Sequence, residues 1–269
     1  GVAQALSSVH AIIIPTKATA DLYREFSHQT NIFPIHTGLD LDGIQVQATS
    51  FHKNPDKLYV VNVGSIESRK GQDILLKSIA HLPTEIIHRC EFYLIGRVLD
   101  WDFYHQLSQA ARLIPNVHIV GEVPRERVTA YLQAADVFVL TSRDESLPVA
   151  MLEAMYYARA IIATDVGGIR EVINHEDNGL IVKSEDYRDI ARHLERLFHD
   201  RDVLVQIGNK ARMTFEQHLT MERFGTEMLK VIRRVLAPDS SELTEHMNSN
   251  SDEPWIVDGH NASLEWPHS

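Results

Sequence analysis

The sequence predicts an α/β fold whose main domain is a doubly wound, Rossmann-like parallel sheet. Three observations carry that expectation. The candidate strands are short, continuous apolar runs rather than alternating ones, as strands buried on both faces require. Each is followed by a stretch with helical spacing, so successive strands are joined by β-α-β crossovers. At 269 residues, with 44% hydrophobic and 23% charged residues, the chain is long and apolar enough to bury the core such a sheet needs.

The opening, Val9-His10-Ala11-Ile12-Ile13-Ile14-Pro15, reads as a buried strand. Thr16 can cap a short helix running to Phe26, and Ile32-Phe33-Pro34-Ile35 reads as a second strand. Two strands and one helix cannot bury one another, so this segment is expected to need a partner sheet that the chain does not contain. From Leu58 the pattern becomes regular. Leu58-Tyr59-Val60-Val61-Asn62-Val63 is a β-branched run ending at Gly64, and a helix over residues 72–80 sets Ile74, Leu75 and Ile79 on one side. A strand over 92–95, a helix over 103–112, a strand over 117–120 and a helix over 125–134 follow. Val137-Phe138-Val139-Leu140 leads to a helix that begins near Pro148, and Ala160-Ile161-Ile162-Ala163 and Leu180-Ile181-Val182 are the last strands. The main domain is thus read as residues 46–200. Long helices are expected over 201–236, with Met213, Phe215, Phe224, Met228 and Val231 available to pack. Residues 237–269, rich in Ser, Asn, Asp and Glu, read as an acidic, disordered tail or linker.

The formal net charge of −11 argues against nucleic acid as a partner, because phosphate binding needs clustered Lys and Arg. Much of that excess lies beyond Leu236, where seven acidic residues stand with no Lys or Arg, so the body is closer to neutral. The single cysteine, Cys90, excludes an internal disulfide framework, fits a reducing cytoplasmic compartment and reads as a buried filler thiol. No apolar run approaches the roughly 20 residues of a membrane span, and no leader peptide is visible. Peripheral contact with the cytoplasmic face of a membrane is left open.

Ligands of open parallel sheets bind at the carboxyl ends of strands, near helix N-termini. Two such junctions stand out. In Gly64-Ser65-Ile66-Glu67-Ser68-Arg69-Lys70-Gly71, Gly64 allows close backbone approach, and Arg69 and Lys70 set cations beside a helix start. The segment is either an anion cradle or a surface turn with two solvated cations. In the second, Thr141 through Glu153, Pro148 suits the first helical position, which leaves the N–H groups of Val149 and Ala150 facing an anion. Glu145 lies just outside that helix, and Glu153 lies about 7–8 Å along its axis from Pro148. Such a pair suits one carboxylate on a sugar and another on a ribose, although a Glu near a helix N-terminus is also a common stabilising feature.

Glu145 and Glu153, with seven residues between them and Glu153-Ala154-Met155 closing the run, match an E-x7-E motif. In this the chain resembles the large retaining glycosyltransferase family usually called GT4, whose members have the GT-B fold of two Rossmann-like domains. Further segments resemble the family in the same order: the phosphate loop Gly64 through Asp73, Asn116-Val117-His118-Ile119-Val120-Gly121, Ala135 through Ser142, Asp165-Val166-Gly167-Gly168-Ile169-Arg170-Glu171 and Asn178-Gly179-Leu180-Ile181-Val182. Ile35-His36-Thr37-Gly38-Leu39-Asp40 resembles the hinge that ends the N-terminal domain. The resemblance then implies that residues 1–45 are the tail end of an incomplete, acceptor-side N-terminal domain, and that residues 46–200 bind the donor.

Carried over by position, the resemblance implies that Lys70 binds the donor diphosphate in a loop opened by Gly64 and Ser65. Many members have Arg where this chain has Ser65, so Arg69 is expected to supply the second cation. Glu145 would contact donor-sugar hydroxyls, and Glu153 the nucleotide ribose. Many members have Gly at the position of Pro148, so Leu147, Val149 and Ala150 remain as backbone donors. Gly121, Glu122 and Val123 would line the base pocket, with Arg97 on the same side. The implied activity is metal-independent transfer of a hexose-type sugar, with retention, from a nucleotide diphosphate-sugar to a hydroxyl of a glycan, lipid or small molecule, as in polysaccharide biosynthesis. No cofactor is expected. A nucleotide-sugar-binding module without catalysis is the alternative. Asp40-Leu41-Asp42 and Asp100-Trp101-Asp102 satisfy the D-x-D pattern of metal-dependent transferases, but read as a turn and a helix cap.

Overall fold

The computed structural model describes residues 9–26, 31–42 and 53–236. The expected acidic tail, residues 237–269, lies outside the described residues. Two parallel strands, β1 (Ile12–Ile14) and β2 (Ile32–Pro34), flank helix α1 (Lys17–Phe26). The main body then runs β3 (Leu58–Val63), α2 (Gln72–His81), α3 (Thr84–His88), β4 (Cys90–Ile95), α4 (Trp101–Ala111), β5 (Val117–Gly121) and α5 (Arg125–Ala134). It continues through β6 (Val137–Leu140), α6 (Val149–Tyr156), β7 (Ala160–Thr164), β8 (Leu180–Val182), α7 (Tyr187–His199), α8 (Arg201–His218) and α9 (Met221–Leu236).

The six strands β3 to β8 form one all-parallel sheet in the order β5-β4-β3-β6-β7-β8. The chain winds outward from β3 to β5, returns across the sheet, and winds outward again from β6 to β8. The reversal lies between β3 and β6, the place where doubly wound sheets take their ligands at the strand carboxyl ends. Alternate residues of each strand feed two cores. Leu58, Val60, Phe92, Val137, Val139 and Ile162 pack against α2, α4 and α7, while Val61, Phe138, Leu140, Ile161 and Ala163 pack against α5, α6 and α8. This two-sided burial is what made the strands read as unbroken apolar runs. β5 departs from that reading: as an edge strand it is only partly covered. Cys90 is fully buried at the head of β4, and burial pushes its thiol up to about 12, as suits a filler.

At the N-terminal end, Ile14, Ala20 and Ile32 form a small apolar cluster, and the start of α1 is hydrogen-bonded to Glu171 of the main body. One expectation for the C-terminal helices is corrected. Of the helix residues expected to pack, Phe215 and Val231 are buried, but Met213 is exposed. α9 leaves the sheet layers and reaches back to β2, where the Arg234 guanidinium stands 5.4 Å over the Phe33 ring. The turn between α8 and α9 is fixed by the hinge segment, with Leu39 N donating to Leu219 O at 2.9 Å. Among the described residues, no helix is long and apolar enough to cross a membrane.

Candidate functional site

β3 ends at Gly64, and the chain turns through Ser65 and Ile66 into one 3-10 turn, Ser68–Lys70, before Gly71 starts α2. Gly71 has φ of 64°, which an L-residue adopts only at a cost, and a Cβ there would stand 2.0 Å from Thr141 O. The loop is therefore pressed onto the segment that follows β6. Backbone approaches closely at Gly64, and Gly96 is the glycine that this approach requires. A Cβ on Gly64 would meet only the Lys70 stem at 3.6 Å, whereas one on Gly96 would stand 1.9 Å from Gly64 O.

This packing brings the three expected catalytic residues together. Lys70 Nζ lies 2.5 Å from Glu145 Oε1, and Arg69 Nη1 lies 3.9 Å from Glu145 Oε2. Ser142 Oγ donates to Glu145 Oε1 at 2.7 Å. The Glu145 side chain is only 7% exposed, so the ion pair carries a desolvation cost that its attraction and the Ser142 bond must offset. Arg69 is more open, and it also donates to Glu67 Oε1 at 3.0 Å and to Asp144 O at 3.2 Å. Ser65 does not face outward as a free hydroxyl: it donates to Glu67 Oε1 at 2.5 Å. That bond, with the Arg69 and Lys70 charges, holds the Glu67 carboxyl below the usual range despite its partial burial.

At the second junction the helix begins one residue later than expected. Pro148 is extended, with φ −73° and ψ 118°, and its carbonyl accepts from Met151 N at 3.0 Å and Leu152 N at 3.3 Å. Val149, not Pro148, is the first helical residue, because the proline serves α6 as its flanking carbonyl. Val149 and Ala150 then hold the first two N–H groups of α6, which have no acceptor within the helix. Val149 is exposed, while Leu147 is buried in the second core. Glu153 lies one turn into α6, where its Oε1 accepts from Arg125 Nη2 at 3.2 Å. Burial raises the Glu153 carboxyl above the ordinary value, and the Arg125 charge opposes that rise.

The ends of β4 and β5 complete the rim. Gly96 N donates to Gly121 O at 2.9 Å, and Arg97 O accepts from Ile66 N at 2.8 Å, which leaves the Arg97 side chain exposed. Val123 packs partly on the second core, and Arg125, two residues on, ties this turn to Glu153. The D-x-D segments hold the places read for them: Asp40 Oδ1 accepts from Asp42 N at 3.0 Å in a turn, and Asp100 Oδ1 caps α4 by accepting from Phe103 N at 3.0 Å.

Sequence reasoning missed Ser142, Arg125, Arg143 and Glu171 as part of this surface. Glu171, after β7, accepts from Ala18 N through Oε1 and from Lys17 N through Oε2, both at 2.9 Å, and lies 3.0 Å from His36 Nε2. Thr19 Oγ1 stands 2.9 Å from Ser146 Oγ. The N-terminus of α1 is thereby fastened beside the Glu145 loop. Apart from Ser142, which stands three positions from Glu145, these partners sit 28 to 154 positions apart, beyond the reach of any local pattern.

The doubly wound parallel sheet is of the GT-B type, as in the solved structures that it resembles. The glycosyl transferases group 1 family model matches residues 45–214, and the chain belongs to that family. It is 25% identical over 227 residues to a D-inositol 3-phosphate glycosyltransferase of Streptomyces bingchenggensis, covering 78% of this chain and 50% of that protein. It is 29% identical over 186 residues to the N-acetyl-alpha-D-glucosaminyl L-malate synthase of Bacillus anthracis, covering 68% of this chain and 47% of the other. The chain thus spans about half the length of these relatives. Among solved structures, a sucrose-phosphate synthase of Thermosynechococcus elongatus superposes with a TM-score of 0.75 at 22% identity, over 87% of this chain and 60% of that one. Anabaena HepE in complex with UDP-glucose gives a TM-score of 0.72 at 18% identity, over 85% and 64%.

Proposed function

We propose that this chain carries the donor site of a retaining, metal-independent glycosyltransferase of the GT4 type. The sugar moved is a hexose, taken from a nucleotide diphosphate-sugar and placed on an acceptor hydroxyl. The observation that carries the reading is the Lys70–Glu145–Arg69 constellation, set where β3 and β6 diverge and beside the N-terminus of α6. Two cations and two helix-end N–H groups form a field for a diphosphate, and the carboxylates flank it. That HepE was solved with UDP-glucose supports a nucleotide-sugar as the ligand class.

In this reading the acceptor oxygen forms a bond to the anomeric carbon on the face from which the diphosphate departs. The bond from that carbon to the diphosphate oxygen breaks, and the acceptor proton ends on the leaving diphosphate. Lys70 and Arg69 stabilise the charge that grows on the leaving oxygen, and the α6 N-terminus adds to them. Glu145 orients sugar hydroxyls, and Glu153 accepts from the ribose. The two are not the acid and base of a glycosidase, which flank the scissile bond.

Calorimetric titration with UDP, GDP and ADP, repeated on Glu153→Ala, tests the reading. One nucleotide is expected to bind, and to bind more weakly to the variant. Absence of binding by all three would remove the donor-site reading and leave the fold alone.

A further inference from the structure

The 3-10 turn that carries Arg69 and Lys70 is held by its carbonyl groups, all three by residues just after β6. Ser68 O accepts from the Arg143 guanidinium, Arg69 O accepts from Arg143 N at 2.8 Å, and Lys70 O accepts from Thr141 Oγ1 at 3.2 Å. Arg143 supplies two of these three bonds. Its guanidinium is in turn gripped on every edge. Nη1 and Nη2 donate to Asp73 Oδ1 and Oδ2 at 3.0 and 2.9 Å, and Nε stands 2.6 Å from Glu185 Oε1. Asp73 lies in the first turn of α2, directly after the loop. Glu185 holds φ of 69°, a left-handed conformation unfavourable for a residue with a Cβ, and so presents its carboxylate to Arg143 at a local cost.

We propose that Arg143 is a positioning residue for the donor diphosphate: it locks the Ser68–Lys70 turn onto the Glu145 loop and so fixes where Arg69 and Lys70 stand. The inference rests on the donor-site reading above, but concerns a residue that reading does not use. An exposed ion pair with a single partner contributes little. Arg143 differs, because its planar fork ties the turn, α2 and the loop before α7 to the segment after β6. Lys, a point charge on a flexible stem, cannot hold both Asp73 oxygens and Ser68 O together. The cations it places act on the phosphates, so the effect of losing it falls on the diphosphate rather than on the nucleoside.

The test compares each nucleoside diphosphate with its monophosphate (UDP with UMP, GDP with GMP, ADP with AMP) on the unaltered chain, Arg143→Gln, Arg143→Lys and Asp73→Asn. For the nucleotide that binds, Arg143→Gln is expected to lower diphosphate affinity about tenfold and monophosphate affinity about twofold or less. Arg143→Lys falls between, and Asp73→Asn moves the ratio in the same direction. In the double variant the two losses do not add, since both act through one contact. If Arg143→Gln lowers both affinities equally, or leaves their ratio unchanged while Lys70→Ala abolishes it, the donor site stands and the positioning role is wrong. If the unaltered chain binds none of the three diphosphates, the donor-site reading fails and this inference fails with it.

Discussion

Lys70 and Glu145 stand 75 positions apart in sequence and form a 2.5 Å ion pair across the seam between β3 and β6. Both side chains are largely buried, 15% and 7% exposed, so each charge depends on the other. Removing the ammonium leaves the charge to the Ser142 hydroxyl and to an Arg69 group 3.9 Å away.

Lys70→Ala is therefore expected to destabilise the chain by about 1–3 kcal/mol, the cost of a buried charge deprived of its partner. The double variant Lys70→Ala/Glu145→Ala should recover part of that loss, because it removes the stranded carboxylate. Urea unfolding of the two variants decides the matter. A double variant less stable than Lys70→Ala would mean that the carboxylate is held well without its lysine. On the proposed function, Lys70→Ala should also cut donor turnover strongly, and unchanged turnover would remove Lys70 from the proposed diphosphate site.

Glu153 gives the site a pH dependence of definite sign. Burial raises its carboxyl above the unfolded value, with Arg125 opposing, so the native state favours the protonated form. Its contribution to stability is complete below the unfolded value and is lost as pH rises through the folded one. At neutral pH the ionised group is thus a cost, and Glu153→Gln is expected to melt at the same temperature as the unaltered chain or higher. A ribose that donates to Glu153 needs the ionised form. Nucleotide affinity should then fall as pH is lowered from neutral toward the folded value, and this loss should be absent in Glu153→Gln. Equal pH profiles for the two proteins would separate Glu153 from the ribose.

Glu171 shifts the opposite way. Burial raises its carboxyl, but the bonds from His36, Ala18 and Lys17 outweigh that, and the net value is lowered. Stability from Glu171 is present above the unfolded value and is lost as pH falls through the folded one. Glu171→Gln keeps the shape but not the charge at the N-terminus of α1, and is expected to cost about 1 kcal/mol. Hydrogen exchange localises the effect: amides over residues 17–26 should exchange faster, while those of β3 and β6 stay protected. Uniform change across the chain would contradict a local anchor.

The fold was legible in the sequence because its central strands are buried on both faces, which writes each as an unbroken apolar run, and because every crossover of the main sheet except that from β7 to β8 carries an α-helix. The short α3 was missed, since Pro83 and five residues give no period to read. Gly64, Lys70, Glu145 and Glu153 could be found from their places at strand ends and in a spaced motif. Ser142 lies within a family-like strand segment, but no local pattern marks its bond to Glu145. Arg125 had no signal, and Glu171 stood in a family-like segment that gave no sign of its partners, because those are set by how β5 and β7 lie against the neighbouring segments. Pro148 misled by one position: proline is as compatible with the extended residue before a helix as with its first turn.

Gly71 and Gly121 both hold positive φ, 64° and 76°, yet they should respond differently to alanine. At Gly121 a Cβ would meet nothing within 4 Å, so Gly121→Ala bears only the conformational cost, about 1–2 kcal/mol. At Gly71 the same cost applies, and the Cβ would also stand 2.0 Å from Thr141 O, a backbone atom that cannot turn aside. The loop that carries Arg69 and Lys70 must then lift from the segment after β6. Gly71→Ala is expected to lose more stability than Gly121→Ala and to weaken diphosphate binding as well, because Lys70 moves off Glu145. Paired unfolding and titration experiments compare the two. Equal stability losses, with diphosphate affinity intact in Gly71→Ala, would show that the loop tolerates displacement, and that its seat on Thr141 does not set the cations.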